Sequence, residues 1–79
     1  MSEPVSTAEA LDDLSALAES ADYEAIRSGL SAVISLLEQP GLALNDSVRA
    51  YEVGRLLADR CQTLLDEAEL RIVQLDGGS

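Results

Sequence analysis

Glu52, Asp59 and Asp66 recur every seven residues, and Asp66, Glu67 and Glu69 crowd a single stretch. Carboxylates at such spacings are the raw material of a cation site or of general acid–base catalysis. On a helix the first set shares a face, but its members stand about two turns apart, so no single cation reaches all three. The second set fans around the axis instead of converging, and both read as a solvated acidic face. The sequence holds no histidine and no lysine. The commonest general base and the Schiff-base amine are therefore missing. Cys61, the single thiol, has no histidine to activate it and falls on an apolar stripe, where it reads as a small buried hydrophobe. Tyr23 and Tyr51 have the shape to stack on bases, but each opens an apolar stripe and reads as a core or interface residue. No catalytic, metal-binding or cofactor-binding residue is expected in this chain.

The stripes define the elements that carry these residues. Leu11, Leu14, Ala18 and Ala21 follow a 3-4-3 spacing and predict a helix over about 7–21. Tyr23, Ile26, Leu30, Val33 and Leu37 follow a 3-4-3-4 spacing and predict a second over about 23–38. The two stripes are out of phase. Ser20-Ala21-Asp22 therefore reads as a break with Asp22 as N-cap; the alternative is one long helix that changes its buried face. Glu38-Gln39-Pro40-Gly41 ends the second helix, since proline disfavours helix in the residue before it and glycine adopts positive φ readily. Asn45-Asp46 reads as a cap and first-turn acid. From there a third helix is expected over 46–75, with Tyr51, Gly54, Ala58, Cys61, Leu65, Ala68, Ile72 and Leu75 as a heptad seam. Residues 1–6 read as a frayed tail and 76–79 as a flexible end. The expected fold is all-α: an antiparallel hairpin of 23–38 and 46–75 with coiled-coil-like packing, preceded by an acidic, helical N-terminal segment.

Composition bounds what such a hairpin does. Seventy-nine residues with 47% apolar content make one small domain, and a chain of this size typically buries only about 60% of its unfolded surface. Fifteen acids against five arginines leave a net charge of −10, which argues against direct binding to nucleic acid or anionic membrane. No apolar run approaches the roughly 20 residues needed to span a bilayer, and the first residues lack the basic and apolar regions of a secretory signal. The expected location is the cytoplasm, where a lone thiol stays reduced.

The apolar residues outnumber their partners. At 1.5 Å per residue the third helix outruns the second by about 20 Å. Val48, Val53, Leu56, Leu57, Leu64, Leu70 and Val73 lie off the seam as well. One short helix does not cover them all. Either the N-terminal helix folds back or another chain covers the remainder; a hairpin core together with an oligomeric or heteromeric contact is expected.

The run from Tyr23 to Leu75 resembles the small subunit of exodeoxyribonuclease VII. The residues that carry the resemblance begin with Tyr23-Glu24, Leu30, Val33, Leu36-Leu37-Glu38-Gln39 and Gly41-Leu42-Ala43-Leu44. They continue through Ser47 to Gly54, Leu57-Ala58, Arg60-Cys61, Leu65, Ala68-Glu69 and Arg71-Ile72. The resemblance implies a helical hairpin without an active site. Several such small subunits join one large subunit, which supplies the DNA-binding domain and the nuclease centre. The complex then degrades single-stranded DNA from either end to oligonucleotides, with no strict need for a divalent metal. Tyr51, Gly54, Leu57, Ala58, Cys61, Leu65, Ala68 and Ile72 are the expected subunit interface, shared between hairpin partner and large subunit; a homo-oligomer in isolation is compatible with the same seam. Pro40 stands where family members often have glycine, Arg27 where they are often apolar, and Gly29 weakens its helix. The rival reading is an acidic, self-associating helical adaptor, or a DNA-mimic inhibitor, with no nuclease partner.

Overall fold

The computed structural model describes residues 6–77, and every regular element among them is helical. Helix α1 (Thr7–Ala16) is followed by a 3-10 turn, Leu17–Glu19; α2 (Tyr23–Leu37) and α3 (Leu44–Gly77) form the hairpin. Residues 1–5 of the expected frayed tail, and Gly78-Ser79 of the expected flexible end, lie outside the described residues.

Local chemistry places the helix ends. Ser6 caps α1, its hydroxyl accepting from the Glu9 amide at 3.2 Å. The α-helix closes at Ala16, and the tighter 3-10 turn carries Leu17 and Ala18 toward the core while the expected stripe member Ala21 stays exposed. Asp22 caps α2, its carboxylate accepting from the Glu24 and Ala25 amides at 3.0 and 3.3 Å. The chain therefore breaks at Ser20–Asp22 and is not one continuous helix. Asp22→Ala is expected to cost about 1 kcal/mol, read as a melting temperature lower by about 4–8 °C in a domain this size; an unchanged melting temperature would show that the cap carries no weight.

At the other end of α2 the left-handed conformation falls on Gly41, at φ +80°, and no non-glycine residue adopts positive φ among those described. Pro40 thus sits one residue ahead of the position that requires glycine, and the turn accommodates it. Helix α3 starts at Leu44, two residues earlier than expected. The Ser47 amide already donates to the Ala43 carbonyl at 2.9 Å, so Asn45 and Asp46 lie within the first turn, where Asp46 still complements the helix dipole. The helix also continues through Asp76 and Gly77, past the expected end at Leu75.

The three segments run up, down and up. Arg49 on α3 pairs with Asp12 on α1, and the Arg60 Nε donates to the Ser20 carbonyl at 3.0 Å. The N-terminal arm therefore lies parallel to α3 and antiparallel to α2. The core where they meet comprises Leu11, Ile26, Val33, Ala50, Val53, Leu57 and Cys61. Leu11, Ile26, Val33 and Leu57 are fully buried, each contributing about 1.5–3 kcal/mol of burial. The molecule measures 56 × 28 × 16 Å. Its length comes from α3 running on alone beyond the start of α2.

Candidate subunit interface

Two lines of residues on α3 advance in heptad steps, and the fold treats them differently. Gly54 and Cys61 turn into the hairpin, whereas Ala68 and Leu75, one and two heptads further, are exposed because α2 no longer faces them. Tyr51, Ala58, Leu65 and Ile72 are exposed along the whole helix, Tyr51 at 62% and Ile72 at 57% of full accessibility. Of the eight expected interface residues, Gly54, Leu57 and Cys61 therefore face inward. Tyr51, Ala58, Leu65, Ala68 and Ile72 face outward.

Gly54 marks a close approach within the hairpin. A Cβ at that position would stand 3.1 Å from Val33 Cγ1 and 3.9 Å from Leu30 Cδ1, tight enough that α2 must give way to any larger side chain. The absent side chain is what lets the helices approach closely, which offsets the helix propensity that glycine forfeits.

Beside this contact an open groove of about 360 Å³ runs between α2 and α3, lined by Leu30, Ile34, Leu37, Tyr51 and Ala58, with Arg55 at its edge. Ile34 and Leu37 are substantially exposed. Ile34 was not singled out by the sequence pattern, although Leu30, Ile34 and Leu37 form a 4-3 stripe of their own. The signal was present but overlapped the stripe through Val33. Continuing from the groove, α3 presents Leu65, Ala68, Ile72 and Leu75, with Leu70 and Val73 on an adjacent face, all exposed. This free stretch after Leu64 is about 20 Å long. Asp66, Glu67, Glu69 and Arg71 are interspersed with these apolar residues along the stretch.

The carboxylates do other things. Asp66 accepts a hydrogen bond from Gln62 Nε2 at 2.9 Å. No three histidine, cysteine, aspartate or glutamate side chains gather as a metal site among the described residues. The ion pair found among the described residues joins Arg49 to Asp12 across two helices. Cys61 is buried and unpaired with any other thiol. No helix among the described residues is long and apolar enough to cross a membrane.

A family model described as the exonuclease VII small subunit matches residues 23–74, which covers α2 and nearly all of α3 but leaves α1 outside. The chain is 45% identical over 53 residues to a Mycobacterium leprae protein named exodeoxyribonuclease 7 small subunit, covering 67% of this chain and 68% of that one. It is 45% identical over 56 residues to the protein of the same name from Mycobacterium tuberculosis, covering 71% of this chain and 66% of the relative. A third relative of that name, from Mycobacterium marinum, is 46% identical over 50 residues, covering 63% of this chain and 61% of its own length. No solved structure matches the chain.

Proposed function

The chain belongs to the exonuclease VII small-subunit family, and from that premise we propose that it is the non-catalytic subunit of an exodeoxyribonuclease VII. In this reading it binds a large subunit that carries the DNA-binding and phosphodiester-hydrolysing groups. The assembly works in the cytoplasm, degrading single-stranded DNA from either end to oligonucleotides. Several copies join one large subunit, and the chain contributes no cofactor and no catalytic side chain.

One observation carries the reading: the apolar line Tyr51–Ala58–Leu65–Ile72, exposed down the length of α3 and continuing onto a stretch of helix with no partner in the chain. An isolated hairpin gains nothing from that line. A subunit completed by a long helical partner gains an interface whose aliphatic residues match helix-on-helix packing. The net charge of −10 suits a protein partner better than DNA.

Co-expression with a family large subunit tests the reading. The two chains are expected to co-purify with nuclease activity on single-stranded DNA, while the purified small chain alone shows none. Recovery of the chain only as a homo-oligomer, with the large subunit left behind, would favour the self-associating adaptor instead.

A further inference from the structure

The N-terminal arm lies outside the family match, yet the hairpin is shaped to receive it. Gly29 sits where a Cβ would stand 2.5 Å from Leu17 Cδ1 and 3.6 Å from Leu14 Cδ2, so the missing side chain on α2 is the seat for two leucines of the arm. Leu11 is fully buried. Two of the five arginines, Arg49 and Arg60, hold the arm by Asp12 and by the Ser20 carbonyl. The arm thus fills an aliphatic groove flanked by positive charge, on the side of the hairpin away from Tyr51 and Ile34.

A second sequence in the same chain has the chemistry to fill that groove. Leu11-Asp12-Asp13-Leu14, followed by Ala18, is apolar, acid, acid, apolar, with a further apolar residue seven beyond the first. Leu65-Asp66-Glu67-Ala68, followed by Ile72, repeats that part of the pattern on the free stretch of α3, with the smaller Ala68 in register with Leu14 and the aliphatic stem of Arg71 in register with Leu17. Residues 65–77 carry four acids against one arginine, which complements Arg49 and Arg60. From Leu65 to Leu75 the free stretch is about 15 Å long, close to the distance along α3 between those two arginines.

We infer that the arm is a resident stopper: it holds the groove that the free end of α3 from a second copy would otherwise enter. Entry would run parallel to the receiving α3, as the arm does, so the contact is head-to-tail. Each added copy would present its own free end in turn, and such contacts grow without closing unless the rotation between copies makes a ring. A subunit that must display an apolar helix end for a partner is thereby kept from serving as its own partner. That benefit rests on the proposed function, whereas the self-association does not, and no large subunit enters the test.

Sedimentation of the full-length chain over a range of concentrations provides the test, with circular dichroism to follow helicity. Leu11→Asp, which ejects the arm, is expected to raise the weight-average mass with concentration past twice that of the wild type, since a head-to-tail contact does not stop at a dimer. Adding Ile72→Asp is expected to abolish the rise, and a peptide of residues 6–22 supplied in excess is expected to reverse it. Asp12→Arg sets two guanidinium groups against each other at Arg49 and keeps every buried side chain, so it answers the question should Leu11→Asp lose its fold; it is expected to move the mass in the same direction by a smaller factor. The stopper role is overturned if folded arm-ejected variants sediment as the wild type does. It is equally overturned if the mass rises but Ile72→Asp leaves the rise intact.

Discussion

Leu57→Ala is expected to lower the stability of the isolated chain by about 3 kcal/mol, more than any other single truncation on α3. Leu57 is fully buried, and its Cδ1 approaches the position of a Gly29 Cβ at 3.4 Å, the same point that Leu14 and Leu17 of the arm crowd from the other side. All three helices therefore lose contacts when this side chain is shortened. A domain of 79 residues has a total stability of about 4–12 kcal/mol, so the loss is a large fraction of the whole. It corresponds to a melting temperature lower by about 12–24 °C. Leu56, the preceding residue, is 48% exposed, and Leu56→Ala is expected to stay within about 0.5 kcal/mol of the parent. Thermal melts of the two variants check the pair. Equal losses would mean that α3 is rotated relative to its partners from the arrangement described here.

Replacing both Tyr51 and Ile72 with Asp is expected to weaken capture of a family large subunit by about 100-fold or more, leaving the melting temperature of the isolated chain nearly unchanged. Both side chains are more than half exposed in the free chain, so they lend little to its own stability. In a complex they would lie at two points, about 30 Å apart, on one apolar line. Aromatic and aliphatic anchors at the centre of a protein interface each contribute on the order of 2 kcal/mol or more, and a buried, unpaired carboxylate in their place adds a desolvation penalty. The contrast with Leu57→Ala is diagnostic: one variant loses stability in isolation, the other loses its partner. A binding titration against the large subunit decides it. Full affinity of the double variant would move the interface elsewhere, the Leu70 and Val73 face of α3 being the next surface to probe.

The helices and their breaks were legible in the sequence because the signals are local. Asp22 before Tyr23, Pro40-Gly41 after Leu37 and the phase change between the first two stripes each act within one turn, through a capping carboxylate, a missing amide or a glycine at positive φ. The start of α3 lies two residues ahead of its cap pattern for the same kind of reason: Asn45 and Asp46 satisfy that pattern, but the Ala43 carbonyl already accepts the first helical hydrogen bond, and the cap residues sit inside the turn. The apolar excess of α3 was legible as well, since counting Leu, Ile and Val against the length of α2 needs no coordinates.

Which side of α3 is buried was a different matter. Its apolar sector is wide enough to draw a helical stripe through Tyr51, Gly54, Ala58 and Cys61, or through Ala50, Val53, Leu57 and Cys61. Over most of their length the two are offset by one residue, a rotation of about 100°. Periodicity ranks them equally. The second stripe is buried together with Gly54 of the first, and on that face Gly29 and Gly54 leave room for Leu17 of the arm and Val33 of α2. Tyr51, Ala58, Leu65 and Ile72 are thereby left facing outward. Helical identity is a property of each segment and its neighbours along the chain; the direction a helix faces depends on residues 20 to 40 positions away, and pattern within a segment carries no record of them.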